Sequence, residues 1–276
     1  KDLDWFHYVK GILNNVGCSA EIVSTQEIPK IHPFIQLDGI IGGLHTPEDG
    51  HTDPTSTTNA MAKGARNSGA EIYRHNRVTN IKQLPTDEWE LVTEKGNIIC
   101  EHVVNAAGSF CPEVGHMVGL KNIPSINMIH HYLVTDEHVE IKKLDKELPV
   151  VRDPHSSCYL RQEGKGLLIG IYEKNAKCWA LDGMDWKFDM ELLEPDLDRL
   201  EEHLKKGMDR IPQFRDVGIK RIICGPITHT PDGNFLAGPA PGLRNFWMFC
   251  AASVGIAQGG GAGKYMAQWM IYGDAD

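Results

Sequence analysis

Asn245-Phe246-Trp247-Met248-Phe249-Cys250-Ala251-Ala252-Ser253-Val254-Gly255-Ile256-Ala257-Gln258-Gly259-Gly260-Gly261-Ala262-Gly263-Lys264 is the stretch on which the fold turns. Its apolar opening, Asn245 to Ala251, reads as a strand. The glycines that follow predict a loop from Gly255 to Gly263, and then a closing helix to about Ile271. Clustered glycines let a backbone pass close to a ligand. The positive end of the following helix would favour an anion there. The same glycines would equally serve tight helix–sheet packing with no ligand. The stretch is not a P-loop, because Tyr265 follows Lys264 where Ser or Thr is required. Nor is it the Gly-x-Gly-x-x-Gly fingerprint, since Lys264 stands where the third glycine belongs. That fingerprint occurs nowhere in the chain.

The pattern has an earlier counterpart. Glu101–Asn105 reads as a strand that runs into Ala106-Ala107-Gly108, with a helix after it. Strand, small residues and helix, twice over, predict an α/β nucleotide-type domain. Between the two copies lie β-rich stretches such as Ile129–Thr135 and Cys158–Arg161, which read as a second layer inserted into the first. Leu193, Leu197, Leu200, Leu204, Met208 and Ile211, spaced by threes and fours, predict an amphipathic helix over 190–211. Asp53 is a suitable N-cap and Pro54 a suitable first residue for a helix to about Asn67, with Gly69 as its stop. Residues 88–104 read as a hairpin turning at Lys95-Gly96-Asn97. A strand around Ile219–Cys224 and a turn at Pro231-Asp232-Gly233 complete the middle. Residues 1–36 read as a helix and loop, and 37–47 as a strand entering a tight turn.

The 276 residues, 41% hydrophobic and 24% charged, are enough for one large domain or two intimate ones. A formal net charge of -9 disfavours nucleic acid as a partner, because phosphate binding needs a basic face. Seven cysteines with no Cys-x-x-Cys pair read as buried free thiols of a reducing compartment. No apolar run is long enough to cross a membrane and no signal peptide is visible.

His51 and Asp53 have the spacing of a metal pair, but no third ligand accompanies them, and an N-cap accounts better for Asp53; no metal is expected. His130 and His131 are neighbours on a strand, so their rings should point to opposite faces. One would face a cavity and the other solvent or core. Nucleophile signatures such as Gly-x-Ser-x-Gly are absent.

Taken together, Gly50-His51-Thr52-Asp53-Pro54, Asn105-Ala106-Ala107-Gly108, His130-His131-Tyr132-Leu133-Val134-Thr135, Tyr159-Leu160-Arg161-Gln162-Glu163, Cys224-Gly225-Pro226-Ile227-Thr228 and Thr230-Pro231-Asp232 stand in the order found in dimethylglycine and sarcosine dehydrogenases. The glycine-rich closing segment matches as well. The chain therefore resembles that family over nearly its whole length, and more the dimethylglycine branch. The resemblance implies the α/β (α+β) fold of FAD-linked amine oxidases: a dinucleotide-binding domain, here incomplete, with an inserted antiparallel substrate-binding sheet. Residues 1–276 would form one discontinuous oxidoreductase region. Residues 37–124 and 218–276 would mainly bind FAD, and 1–36 and 125–217 would mainly bind substrate.

By the same resemblance, Val78, Ala106, Ala107 and Gly108 line the cofactor, and Gly225, Gly255 and Ile256 lie near the flavin ring. His130 and Tyr159 match the family's active-site histidine and tyrosine. The implied reaction is hydride transfer from an N-methyl carbon of dimethylglycine or sarcosine to flavin N5. The resulting iminium ends as formaldehyde or is captured by tetrahydrofolate, and electrons leave through an electron-transfer flavoprotein. The setting would be cytoplasmic in a bacterium and the mitochondrial matrix in a eukaryote. The family's glycine fingerprint, ribose-binding acid and flavin-linking histidine all lie upstream of anything in this sequence, so the chain alone is expected to bind FAD weakly or not at all. Monomeric sarcosine oxidases carry a lysine near the flavin two positions after the late glycine. The corresponding residue is Ala257, which implies a dehydrogenase. The alternative is a non-catalytic binding module resembling the regulatory subunit of pyruvate dehydrogenase phosphatase.

Overall fold

The computed structural model describes residues 1–275. In chain order, α1 (Asp2–Asn15), β1 (Glu21–Val23), the one-turn α2 (Ile28–Ile31) and β2 (Gly43–His45) come first. Next come α3 (Pro54–Asn67), β3 (Val78–Gln83), β4 (Trp89–Thr93), β5 (Gly96–Cys100), β6 (Val103–Asn105), α4 (Cys111–Met117) and β7 (Ile126–Thr135). The middle holds β8 (Val151–Asp153), β9 (Cys158–Glu163), β10 (Gly166–Ile171), β11 (Cys178–Trp179) and α5 (Glu201–Arg210). β12 (Ile219–His229), β13 (Leu236–Pro239), β14 (Phe246–Cys250) and α6 (Gly255–Tyr272) close the chain. The mixture of antiparallel sheets, the parallel β6–β14 pair and covering helices is the α/β fold class expected. The chain divides into two units, each discontinuous in sequence.

The first unit holds residues 1–51, 130–176 and 192–225. Its centre is an antiparallel sheet in which β10 lies between β7 and β9, and β8 flanks β9. Register sets two rows of side chains on opposite faces. Leu133, Ile169, Leu160 and Val151 are cross-strand partners in one row, and Leu133, Ile169 and Leu160 are at most 2% exposed. Residues two apart share a face of a strand, so Leu167, Ile171 and Cys158 extend this core. Each such aliphatic side chain contributes about 1.5–3 kcal/mol by leaving water. α5 lies close on that face: a Cβ added at Gly207 would come within 2.4 Å of Ile169 Cδ1. Arg210, at the end of α5, pairs with Asp153 of β8 at 3.0 Å and also donates to the Gln36 and Asp38 carbonyls.

The helix predicted over 190–211 is confined to Glu201–Arg210, preceded by a 3-10 turn at Asp198–Leu200. Pro195 disfavours helical backbone at Glu194. Leu193 instead donates its backbone N–H to the Cys224 carbonyl at 2.9 Å, as an extended segment beside β12.

The second unit holds residues 52–129, 177–191 and 226 onward. β3, β4 and β5 form a meander; the predicted hairpin is present, but its turn is at Glu94-Lys95, and Gly96 and Asn97 already pair within β5. β14 lies between β13 and β6, antiparallel to the first and parallel to the second, with Phe246 opposite Val103 and Met248 opposite Asn105. Ile81, Trp89, Val103, Phe246, Met248 and Cys250 pack between these layers. Trp89 lies 5.3 Å from Phe246 and satisfies its indole N–H on the Arg244 carbonyl at 3.1 Å. Asp53 caps α3 by accepting from the Ser56 N–H at 2.7 Å.

The glycine run is the main departure from the sequence reading. It is no loop: Gly255 to Gly263 form the first turns of α6, which runs unbroken to Tyr272 and stops at Gly273 with φ +79°. None of these glycines adopts positive φ. A helical glycine costs about 0.5–1 kcal/mol relative to alanine, so the run has another use, and close packing is part of it. A Cβ at Gly260 would stand 3.3 Å from Met61 Cε of α3.

Candidate active site

In the first unit, the sheet face opposite the aliphatic core carries the second row set by register. Tyr132 of β7 faces Gly170 of β10, Gly170 faces Tyr159 of β9, and Tyr159 faces Arg152 of β8. His130, two residues before Tyr132, shares this face. Gly170 leaves a gap in the row, and Tyr159 fills it. A Cβ on Gly170 would fall 1.8 Å from Tyr159 Cζ, so only glycine lets the ring lie across β10. The phenol thereby reaches His130, with Oη 3.1 Å from Nε2 and the two rings stacked at 5.9 Å. Tyr172 closes the group, 5.1 Å from His130 and 5.5 Å from Tyr159.

Burial raises the Tyr159 phenol well above the usual tyrosine range, helped by Tyr172 and Tyr132 and opposed by Arg161 and Arg152. The hydroxyl therefore stays protonated throughout the physiological range and is a standing hydrogen-bond donor. His131 points the other way, as strand alternation requires: it is 1% exposed and its Nε2 accepts from the Asp196 N–H at 3.2 Å.

The second unit gathers Val78, Ala106, Ala107, Gly108, Gly255 and Ile256. The parallel pairing of β6 and β14 puts their carboxyl ends on one edge, which is where open α/β sheets bind ligands. Asn105, buried at the end of β6, holds the next turn in shape: Nδ2 donates to the Cys111 carbonyl at 2.9 Å and Oδ1 accepts from the Ala107 N–H at 3.2 Å. Gly108 then takes φ +57°. Val78 and Ala107 pack at the margin of the same core. α6 begins without a side-chain cap, so the first N–H groups of an 18-residue helix are presented to whatever lies beyond them. This cradle of small residues and helix N–H groups fits the ring system of a flavin. Gly225, in the first unit, would meet nothing within 4 Å if it carried a Cβ, so packing in this chain does not demand glycine there.

His51 Nε2 meets Glu147 Oε1 at 2.7 Å, and no group of three metal-ligating side chains exists among the described residues. All seven cysteines are free thiols, but only Cys111, Cys158, Cys224 and Cys250 are buried; Cys18 and Cys178 are exposed and Cys100 is half-buried, against the expectation of burial. No helix among the described residues is long and apolar enough to cross a membrane.

The first unit thus carries a His–Tyr pair on one sheet face, and the second the carboxyl edge of a parallel strand pair. The sequence profile of the FAD dependent oxidoreductase family matches residues 3–269. This chain belongs to that family. It is 39% identical over 277 residues to the mitochondrial dimethylglycine dehydrogenase of Rattus norvegicus, covering 99% of this chain and 32% of that protein. It is 34% identical to the mitochondrial sarcosine dehydrogenase of Mus musculus, covering 93% of this chain and 28% of that one. The chain thus spans about a third of the length of these relatives. Among solved structures, L-proline dehydrogenase from P. horikoshii superposes with a TM-score of 0.83 at 24% identity, over 100% of this chain and 70% of that one. That likeness bears out the fold and its antiparallel sheet. Sequence reasoning missed Tyr172, Arg152 and the part played by Gly170. Only the register across β8, β9 and β10 makes them neighbours of Tyr159.

Proposed function

We propose that the protein containing this chain oxidises the N-methyl group of a small N-methylated amino acid, dimethylglycine before sarcosine, with FAD as cofactor. The observation that carries the reading is the His130–Tyr159 pair on the free face of the sheet. It lies in a chain 39% identical to a dimethylglycine dehydrogenase and 34% identical to a sarcosine dehydrogenase.

In this reading the second unit holds the flavin, with Val78, Ala106, Ala107 and Gly108 along it and Gly255 and Ile256 donating backbone N–H groups from the start of α6. FAD, when bound, supplies the hydride acceptor. The side chains of the sheet do the rest. An N-methylated amine is protonated at neutral pH, and its lone pair assists loss of hydride only once that proton has gone. His130 is the acceptor of the proton. Tyr159, kept neutral by burial, accepts the Nε2–H of His130 through its hydroxyl oxygen, which holds the imidazole in one orientation and leaves Nδ1 as the nitrogen that takes the proton. The rings of His130, Tyr159 and Tyr172 present π faces that favour a methylated ammonium before deprotonation. Transfer of electrons to a protein acceptor and passage of the one-carbon unit to a folate belong to the same reading.

The test is a screen of dimethylglycine, sarcosine, glycine, proline and N-methylated amines that lack a carboxylate, using the flavin-loaded protein with an artificial electron acceptor. Dimethylglycine should give the highest kcat/KM. Turnover confined to proline or to unmethylated amino acids would contradict the reading.

A further inference from the structure

We propose that Arg152 is the specificity residue that anchors the carboxylate of the substrate, making the site select amino acids over simple methylated amines. The inference rests on the function proposed above. It is carried by where β8 places the side chain and by what that side chain does not do.

Arg152 is the cross-strand partner of Tyr159 and shares its face of the sheet. Its guanidinium lies 4.6 Å above the ring of Tyr172, the same ring that closes the group around His130. Nη1 donates to the Cys158 carbonyl at 2.9 Å. Beyond the Nη1 bond to Cys158 the guanidinium has further N–H donors, and a guanidinium fork matches the two oxygens of a carboxylate. No carboxylate lies within ion-pair distance of Arg152 among the described residues. The neighbouring arginines are otherwise engaged: Arg161 pairs with Glu163 at 2.6 Å, Arg210 with Asp153 at 3.0 Å and Arg199 with Glu173 at 3.5 Å. The backbone under Arg152 is firm, because Asp153, the next residue, is the partner of Arg210. The result is a fixed, solvent-exposed cation at one side of the aromatic group, with donors to spare and no acid of its own. An amino acid with its nitrogen over the rings has its carboxylate within the same small span.

The experiment compares dimethylglycine with dimethylaminoethanol, which keeps the tertiary amine and replaces the carboxylate by a hydroxymethyl group. Wild-type, Arg152→Gln and Arg152→Lys holoenzymes are assayed, with methoxyacetate as a carboxylate-only competitive inhibitor. A lost hydrogen-bonded charge pair should raise KM for dimethylglycine and Ki for methoxyacetate together, about 10–100-fold in the glutamine variant. The lysine variant should fall between, since an ammonium keeps the charge and loses the fork. KM for dimethylaminoethanol and kcat with dimethylglycine should move little. Equal losses for both substrates would make Arg152 merely structural, and an unchanged methoxyacetate Ki would overturn the anchor; either result, with an active wild type, leaves the proposed function standing. A wild type inactive on every N-methylated amino acid would overturn both.

Discussion

Gly170 and Tyr159 face each other on adjacent strands, and the tyrosine ring occupies the place where a side chain on residue 170 would stand, 1.8 Å from the ideal Cβ position. The geometry of the His130–Tyr159 pair therefore depends on an atom that is missing from a third residue.

Gly170→Ala should accordingly behave as an active-site mutation although alanine carries no reactive group. The ring must swing off β10, and the 3.1 Å contact with His130 breaks. Turnover should fall at least as far as in Tyr159→Phe, while overpacking lowers stability by about 1–3 kcal/mol. Parallel thermal melts and steady-state assays of the two variants check this. Full activity in Gly170→Ala would show that Tyr159 does not need its present position.

A second expectation concerns acid stability in the first unit. His32 is 2% exposed, its Nδ1 lacks a hydrogen-bond partner, and burial pulls its pKa down from 6.5 to about 4. A folded-state pKa below the unfolded value means that the unfolded chain binds more protons between those two pH values. The neutral ring thus stabilises the fold fully above about pH 6.5 and progressively less as pH falls towards 4. The span corresponds to about 3 kcal/mol. Chemical denaturation at a series of pH values should show this acid limb in the wild type, and His32→Leu should flatten it. An equally steep limb in the leucine variant would assign the acid sensitivity to other groups.

Oxygen reactivity follows from the start of α6. Residues 252–258 contain no lysine or arginine, and Ala257 is exposed in the first turn. Lys264 lies about two turns on, with its ammonium 5.6 Å from the ring of Tyr265. With no cation at the helix start to stabilise superoxide, reduced holoprotein should react slowly with air-saturated buffer and quickly with an artificial acceptor. Ala257→Lys should speed the reaction with oxygen. Fast reoxidation of the wild type with stoichiometric peroxide would contradict the dehydrogenase assignment.

What could be read from the sequence was local. The Asp53 cap and Pro54 start of α3, the β4–β5 hairpin and the opposite orientations of His130 and His131 each follow from a few neighbouring residues. The two strand ends at Asn105 and Cys250 were legible as well, because apolar runs ending in small residues carry their own signal. The glycine run was misread because clustered glycine signals a loop by composition, whereas here the lack of side chains lets α3 approach α6 at Met61 and Gly260. The 190–211 helix was overextended because apolar spacing continues through Pro195 although backbone geometry does not. Tyr172, Arg152 and Gly170 were beyond reach, since no spacing in one strand reveals what a partner strand sets beside it. The His130–Tyr159 pair was reached by resemblance alone.

The central claim is that His130 and Tyr159 serve the oxidation of an N-methylated amino acid. Anaerobic mixing of the flavin-loaded protein with dimethylglycine, followed by stopped-flow absorbance, isolates that step from any later electron transfer. The wild type should bleach the visible flavin band in a single substrate-dependent phase, and His130→Ala and Tyr159→Phe should each slow it by about 10²–10⁴-fold. Bleaching at the wild-type rate in both variants would contradict the account.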